Sequence, residues 1–302
     1  PSSKSDTYNV AVGLNSQFNT TTGVSNVSVG GQTLDANTTG NYNVAIGQSA
    51  LSAATTASQN NAFGTVALED CTTGGGNNAI GSNSLQNLTT GEYNTAVGNN
   101  TLNTTTTASY NTGIGINAGY SITTGAENTC VGRNAGYDLT TGDGNVLIGN
   151  GAGRSSAPGG AVITSDYQGC FGNNNLTYAG VKVSWTATSD ARDKTDINDF
   201  TPGLSWINKL RPVTYRWDMR SNYEEGQTPD GTHKKKELCL GLLAQEELEV
   251  EKEHGYGETR DTMLVTHEDN YGDYGMKYER IVPILINAVK ELSAKVAALE
   301  AA

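Results

Sequence analysis

Long apolar runs are missing from this sequence of 302 residues. No stretch approaches the ~18 apolar residues of a membrane-spanning helix, and the N-terminus has no signal-like segment, so membrane insertion is not expected. Pro1 stands where an initiator Met would, which predicts a fragment or a processed piece. Cysteine is scarce. Cys71, Cys130, Cys170 and Cys239 form no C-x2-C pair, and His233, His254 and His267 lack ligand spacing, so neither a metal nor a cofactor is expected. Basic residues are few, 19 Lys and Arg against 31 Asp and Glu, and no basic stripe is present, which argues against nucleic acid as a partner. Lys234-Lys235-Lys236 is too short to reverse this and reads as a solvated loop. Charge of either sign nearly vanishes before residue 189. Residues 1–188 hold 4 basic and 9 acidic side chains (−5), and 189–302 hold 15 and 22 (−7).

Gly, Asn and Thr fill the first part, in strict order. Asn-x-small-aliphatic-Gly recurs with its Gly at 13, 30, 47, 64, 81, 98, 115, 132 and 149, an interval of 17 each time. Asn opens all nine, from Asn9, Asn26 and Asn43 to Asn145. A large apolar residue precedes every Gly, as in Val29, Ile46, Phe63 and Ile80, and a small one usually precedes that, as in Ala45, Ala79, Ala96 and Gly113. A fixed period of this kind predicts a solenoid. Alternation along a strand puts the aliphatic position inside the coil and the small position outside, where it would offer a close-packing face to a neighbouring chain. Leu51, Leu68, Leu85 and Leu102, four residues past the Gly, mark a second apolar place, and Thr-Thr-Gly closes several periods as a turn. Two short strands and two turns per period are expected, with the Asn column laddering its amides from coil to coil. Nine coils at ~4.8 Å make a rod on the order of 40 Å long. Cys71 and Cys130 fall at repeat positions otherwise apolar and read as small buried groups. Tyr42, Tyr93, Tyr110, Tyr120 and Tyr137 are either turn residues or platforms for sugars. The pattern resembles the β-roll head of trimeric autotransporter adhesins, with a slightly longer period, and the resemblance implies a trimer.

The period fails after Gly153. Residues 157–188 read as a tip or cap, with strand-like runs at Ala161–Thr164 and Val181–Ala187 around a loop holding Asn173, Asn174 and Asn175. That loop is the candidate receptor-binding element if the segment ends the rod. The other reading is a cover for the last coil.

From 189 onward the composition is that of an ordinary α+β domain. A helix is expected over 202–210 with Trp206 inward, strands over 213–217 and 237–243, a helix from Ala244, and short strands at 264–266 and 277–278 around an acidic loop. The last helix, from about Tyr278, carries Val282, Leu285, Val289, Leu292, Val296 and Leu299 at steps of three and four, a coiled-coil seam. At the junction lies Thr188-Ser189-Asp190-Ala191-Arg192-Asp193-Lys194. A Ser hydroxyl becomes a nucleophile when a base takes its proton, and a Lys kept neutral by burial is such a base.

Ser189-Asp190-x-Arg192-x-Lys194, Leu210-Arg211-Pro212-Val213-x-Tyr215-x-Trp217, Gly241-Leu242-Leu243-Ala244-Gln245-Glu246 and the terminal helix, in that order, resemble the intramolecular chaperone auto-processing domain of phage tailspikes, endosialidases and tail fibres. Glu247 departs from the Val common at its place. The resemblance implies a mainly β homotrimeric fibre: a parallel solenoid rod (1–156), a tip (157–188) and a chaperone domain (189–302) that assembles the trimer and then cuts itself off. It also implies Ser189 as nucleophile, Lys194 as general base and Thr188–Ser189 as the scissile bond, with Asp190 and Arg192 positioning them. Expected partners are two further copies and a host cell-surface receptor, a glycan among the candidates. The expected location is the virion. A bacterial surface adhesin using the same domain is the alternative.

Overall fold

The computed structural model describes residues 7–154, 157, 161–173, 175–176, 182, 188–224, 227–268 and 272–302. The chain divides into two compact units, Pro1–Leu176 and Thr177–Ala302.

The first unit is a parallel β-solenoid. Its strands are β1 (Val10–Val12), β2 (Val27–Val29), β3 (Val44–Ile46), β4 (Asn61–Phe63), β5 (Asn78–Ile80), β6 (Thr95–Val97), β7 (Thr112–Ile114), β8 (Thr129–Val131), β9 (Val146–Ile148) and β10 (Gly169–Phe171), stacked in chain order in one ten-stranded sheet. Each residue pairs with the one 17 positions on, as in Ala62↔Ala79 and Phe63↔Ile80. Each period holds one three-residue strand instead of the expected two, and the rest of the coil is turn. Beyond Gly153 the stack resumes at β10, whose Cys170 pairs with Leu147 after a longer excursion. Gly169-Cys170-Phe171 therefore extends the solenoid. Ala161–Thr164, expected as a strand, is not one. Val181–Ala187 lies outside the described residues except for Lys182.

The inside and outside of the strand are the reverse of the expectation. The small residue points in: Ala45, Ala62, Ala79 and Ala96 are fully buried. The aliphatic residue points out: Val29, Ile46 and Phe63 are each 37% exposed and Ile80 45%. Hence the small residues offer no outer face. The reason is the narrow bore of the coil. Leu34, Leu51, Leu68, Leu85 and Leu102, all 0% exposed, enter it from the turn, leaving room for only a methyl group on the strand. They do so from left-handed backbone, φ +47 to +53, which costs a non-glycine residue about 1 kcal/mol and is offset by complete burial. Volume is conserved where the pattern changes. Gly119 and Gly136 replace the Leu, and Ile122, Cys130, Leu139 and Leu147 fill the space. A Cβ on Gly136 would lie 2.5 Å from Cys130 Sγ. Burial pushes the Cys71 and Cys130 thiols up to about 12, so they behave as inert packing groups.

The glycine ending each strand has no room for a side chain. At Gly64, φ is +146 and a Cβ would sit 2.4 Å from the Gly81 carbonyl oxygen of the next coil. The Asn ladder forms as expected. Asn77 donates Nδ2 to Asn60 Oδ1 (3.2 Å) and Gly91 O (2.9 Å), while its own Oδ1 accepts from Asn94 N (2.9 Å) and Asn94 Nδ2 (3.0 Å). Asn77→Ala leaves those buried partners unpaired and is expected to cost roughly 3 kcal/mol or more. Thermal or urea unfolding measures it, and a loss under ~1 kcal/mol would mean that the ladder contributes little beyond ordinary packing.

Tyr93 and Tyr110 stack at 5.5 Å between centroids, Tyr120 and Tyr137 at 5.1 Å. The Tyr93 ring also covers the backbone at Gly76, where a Cβ would be 2.6 Å from Cδ1. Stacking covers one face of each of these rings, while Tyr42, Tyr93 and Tyr110 remain 61%, 54% and 58% exposed.

The second unit is a small α+β assembly. Helix α1 (Leu204–Ile207) is shorter than expected; β11 (Val213–Tyr215) pairs antiparallel with β12 (Cys239–Gly241); α2 is Ala244–Glu253. The second hairpin, β13 (Thr266–Glu268) with β14 (Tyr274–Met276), is displaced from the expected strands, so β14 occupies part of the stretch read as an acidic loop. Helix α3 (Ile281–Glu300) closes the chain. Trp206, Val250, Val265 and Ile284 form the core. Glu251, fully buried on α2, accepts from the backbone N–H groups of Leu264 (2.9 Å), Val265 (2.8 Å) and Thr266 (2.6 Å), and so anchors β13. The expected seam on α3 faces outward: Val282 is 52% exposed, Val289 63% and Val296 51%, while Ile284 and Ala288 face the core.

Candidate functional site

The junction folds because Asp190 caps a short turn. Its Oδ1 accepts from Arg192 N (2.9 Å), and residues Ala191–Asp193 make one turn of 3-10 helix. The Arg192 guanidinium grips the same carboxylate through Nε (3.1 Å) and its terminal nitrogen (2.6 Å), which holds the Asp190 carboxyl below its usual range. Lys194 ends the turn, its N–H donating to Ala191 O (3.3 Å). The reversal returns the Lys194 side chain to Ser189: Nζ lies 2.6 Å from Oγ and 3.4 Å from the Ser189 carbonyl oxygen. An extended chain would hold residues five apart ~17 Å from each other. Asp190 and Arg192 thus shape the turn, and Ser189 and Lys194 meet across it.

At 2.6 Å a neutral Lys194 amine would accept the Ser189 hydroxyl proton, while an ammonium can only donate to the oxygen. Thr188, Ser189 and Lys194 are all exposed in the single chain. Of the loop expected at the tip, Asn173 Oδ1 accepts from Asn175 N (2.9 Å), and Asn174 lies outside the described residues. Among the described residues no cluster of His, Cys, Asp and Glu is arranged to hold a metal, and no helix is long and apolar enough to cross a membrane.

Two features were invisible in the sequence. Ser205 Oγ lies 3.1 Å from His254 Nε2, and His254 Nδ1 lies 2.8 Å from Val250 O, a clamp that seats the ring on Trp206. Glu247 is 2% exposed, with Oε1 accepting from the Trp206 indole N–H at 2.8 Å. Burial pushes its carboxyl up to about 7 from an ordinary 4.5, with a smaller contribution from the Glu251 charge and an opposing one from the indole bond. An acid whose pKa is raised by folding binds more protons folded than unfolded in the window between the two values, so stability falls as pH rises through it. The unfolding free energy is accordingly expected to drop between pH ~4.5 and ~7, by on the order of 3 kcal/mol, and then level off. Glu247→Gln keeps an acceptor for the indole and should flatten that stretch of the profile. A variant profile as steep as the wild type would assign the dependence to other groups.

Residues 189–256 match the family described as chaperone of endosialidase. The match begins at Ser189 and stops short of the hairpin β13–β14 and of α3. No curated protein and no solved structure matches the chain. The family is one of self-cleaving serine peptidases, its domains act in trimeric fibre assembly, and it is typical of phage tail fibres. The chain thus carries a chaperone-of-endosialidase domain behind a solenoid of seventeen-residue turns.

Proposed function

From that pairing of domain and solenoid we propose that the chain is a segment of a homotrimeric phage tail fibre, with its assembly chaperone still attached. The chaperone trimerises the rod and then cleaves the Thr188–Ser189 bond, Ser189 acting as nucleophile and Lys194 as base. The observation that carries this reading is the 2.6 Å contact between Lys194 Nζ and Ser189 Oγ, at the residue where the family match begins. The exposed seam of α3 supports a multichain assembly. Intact mass together with native size of the purified protein tests both halves. Fragments in a trimer support the reading, and an uncut monomer overturns it.

The released rod would present residues 157–188 at its end. We assign receptor contact to the loop at Asn173, Asn174 and Asn175. Exchanging these three residues is expected to change cell binding while leaving the melting of the rod unchanged. Unaltered binding would make the segment a cap.

A further inference from the structure

One turn position of the solenoid carries rings that the fold does not need. It recurs every seventeen residues as Tyr42, Gln59, Gly76, Tyr93, Tyr110, Glu127 and Gly144. Its backbone is left-handed throughout, φ +56 to +71. That conformation suits Gly76 and Gly144 and strains a residue with a Cβ. Leu51 and Leu68 offset the same strain by complete burial, whereas Tyr42 and Tyr110 stay more than half exposed. Packing of the coil therefore does not account for these rings. One face of Tyr110 lies on Tyr93, with the planes 15° apart. The other looks toward the next coil, where the position holds the exposed Glu127. Tyr42 is followed in the same way by the exposed Gln59. The two phenol hydroxyls, the Glu127 carboxylate and the Gln59 amide make no hydrogen bond to the described residues. The second aromatic rank is different. Tyr120 and Tyr137 are half-buried, and the Arg154 guanidinium closes that stack 4.9 Å from the Tyr137 centroid.

We propose that the open rings form a binding site for neutral hexopyranosyl glycans on the flank of the solenoid. A pyranose has an apolar C–H face and a rim of hydroxyl donors, so it fits both halves of the arrangement. The C–H face lies on Tyr110, and two neighbouring hydroxyls donate to the Glu127 carboxylate. Tyr42 and Gln59 repeat the pair four coils away, ~19 Å along the stack. A wholly apolar ligand would cover the carboxylate without pairing it. Charge selects a neutral sugar: residues 5–132 hold six acidic side chains and no Lys or Arg, so a sialylated, phosphorylated or uronic chain is repelled. The site is separate from the loop to which receptor contact is assigned above, and it requires neither assembly nor cleavage.

Calorimetric titration of the full chain with maltohexaose, cellohexaose and mannohexaose tests this, with a sialic acid hexamer as the acidic comparison. At least one neutral oligomer is expected to bind saturably, and the acidic one is not. Tyr42→Ala with Tyr110→Ala should weaken that binding by roughly tenfold or more at an unchanged melting temperature. Tyr42→Phe with Tyr110→Phe keeps the rings and should keep the affinity. Should loss of the rings unfold the solenoid, Gln59→Ala with Glu127→Ala decides, since both side chains are exposed and unbonded; weaker binding supports the site and unchanged binding overturns it. Saturable binding of none of the three neutral oligomers, or equal binding of the acidic one, overturns the proposal. Affinity that survives exchange of Asn173, Asn174 and Asn175 supports a site on the flank. Affinity lost with that loop moves the site to the tip and overturns this one.

Discussion

Ser189→Ala is expected to yield an uncut chain of 302 residues, where the parent yields fragments of 188 and 114 residues (302 − 188), the second beginning with Ser. Ser189 Oγ is one residue past the Thr188 carbonyl, so attack is intramolecular and gains from proximity. Oγ bonds to the carbonyl carbon, the amide C–N bond breaks, the Ser189 nitrogen takes up a proton, and the resulting ester is hydrolysed by water. The proton on Oγ has to leave first, and Lys194 Nζ at 2.6 Å is positioned to take it. A positioned base contributes roughly 10²–10⁴-fold, so Lys194→Ala should slow cleavage by about that factor or more. Lys194→Arg separates the base from the cation. It retains positive charge and donors toward Oγ but cannot give up a proton near neutrality, and it should be as inert as Ala. Normal splitting in either Lys194 variant, or an N-terminal sequence that places the cut elsewhere, would defeat the mechanism. All three variants should keep the native size of the uncut assembly.

What could be read in advance divides along physical lines. The interval of 17 and the Asn column were legible because the amide ladder demands the same residue at the same height in every coil; Asn26, Asn43 and Asn60 had no freedom to vary. Helix α3 was legible because apolar steps of three and four put Val282, Val289 and Val296 on one helical face. Which strand face points in was not legible. Alternation separates Ala79 from Ile80 but carries no sign, and the sign is set by Leu85 and Leu102 entering from left-handed turns. β10 was hidden because the longer excursion from β9 breaks the interval on which the reading depended. β14 was hidden because Tyr274-Gly275 has turn composition, and its pairing with β13 depends on Glu251, a buried carboxylate whose partners are backbone N–H groups without sequence signature. At the candidate site, the residue types came from motif order alone. The turn that joins Ser189 to Lys194 follows from Asp190 acting as a cap, a role plain Ser-x4-Lys spacing does not specify.

Removing residues 189–302 from the gene is expected to abolish a folded rod, whereas the same polypeptide cut from the full chain is expected to be stable. The two preparations share residues 1–188 and differ only in history. A solenoid coil of this bore buries a methyl group and one or two Leu-sized side chains, a small core for 17 residues. It leaves Val29, Ile46, Phe63 and Ile80 on its outer strands, so an isolated chain meets other chains through exposed apolar strand faces before any register is set. A domain that first gathers the copies would fix that register and then become dispensable, provided that a high barrier to unfolding holds what remains. Residues 1–188 expressed alone should therefore appear mainly as aggregate, with little soluble β signal in circular dichroism. The same residues released from the full chain should sediment as a single trimeric species and resist unfolding for hours. A soluble monomer with full β signal from 1–188 alone would show that the solenoid needs no chaperone. Aggregation of the released rod at the same rate as the isolated one would show that the chaperone leaves nothing behind.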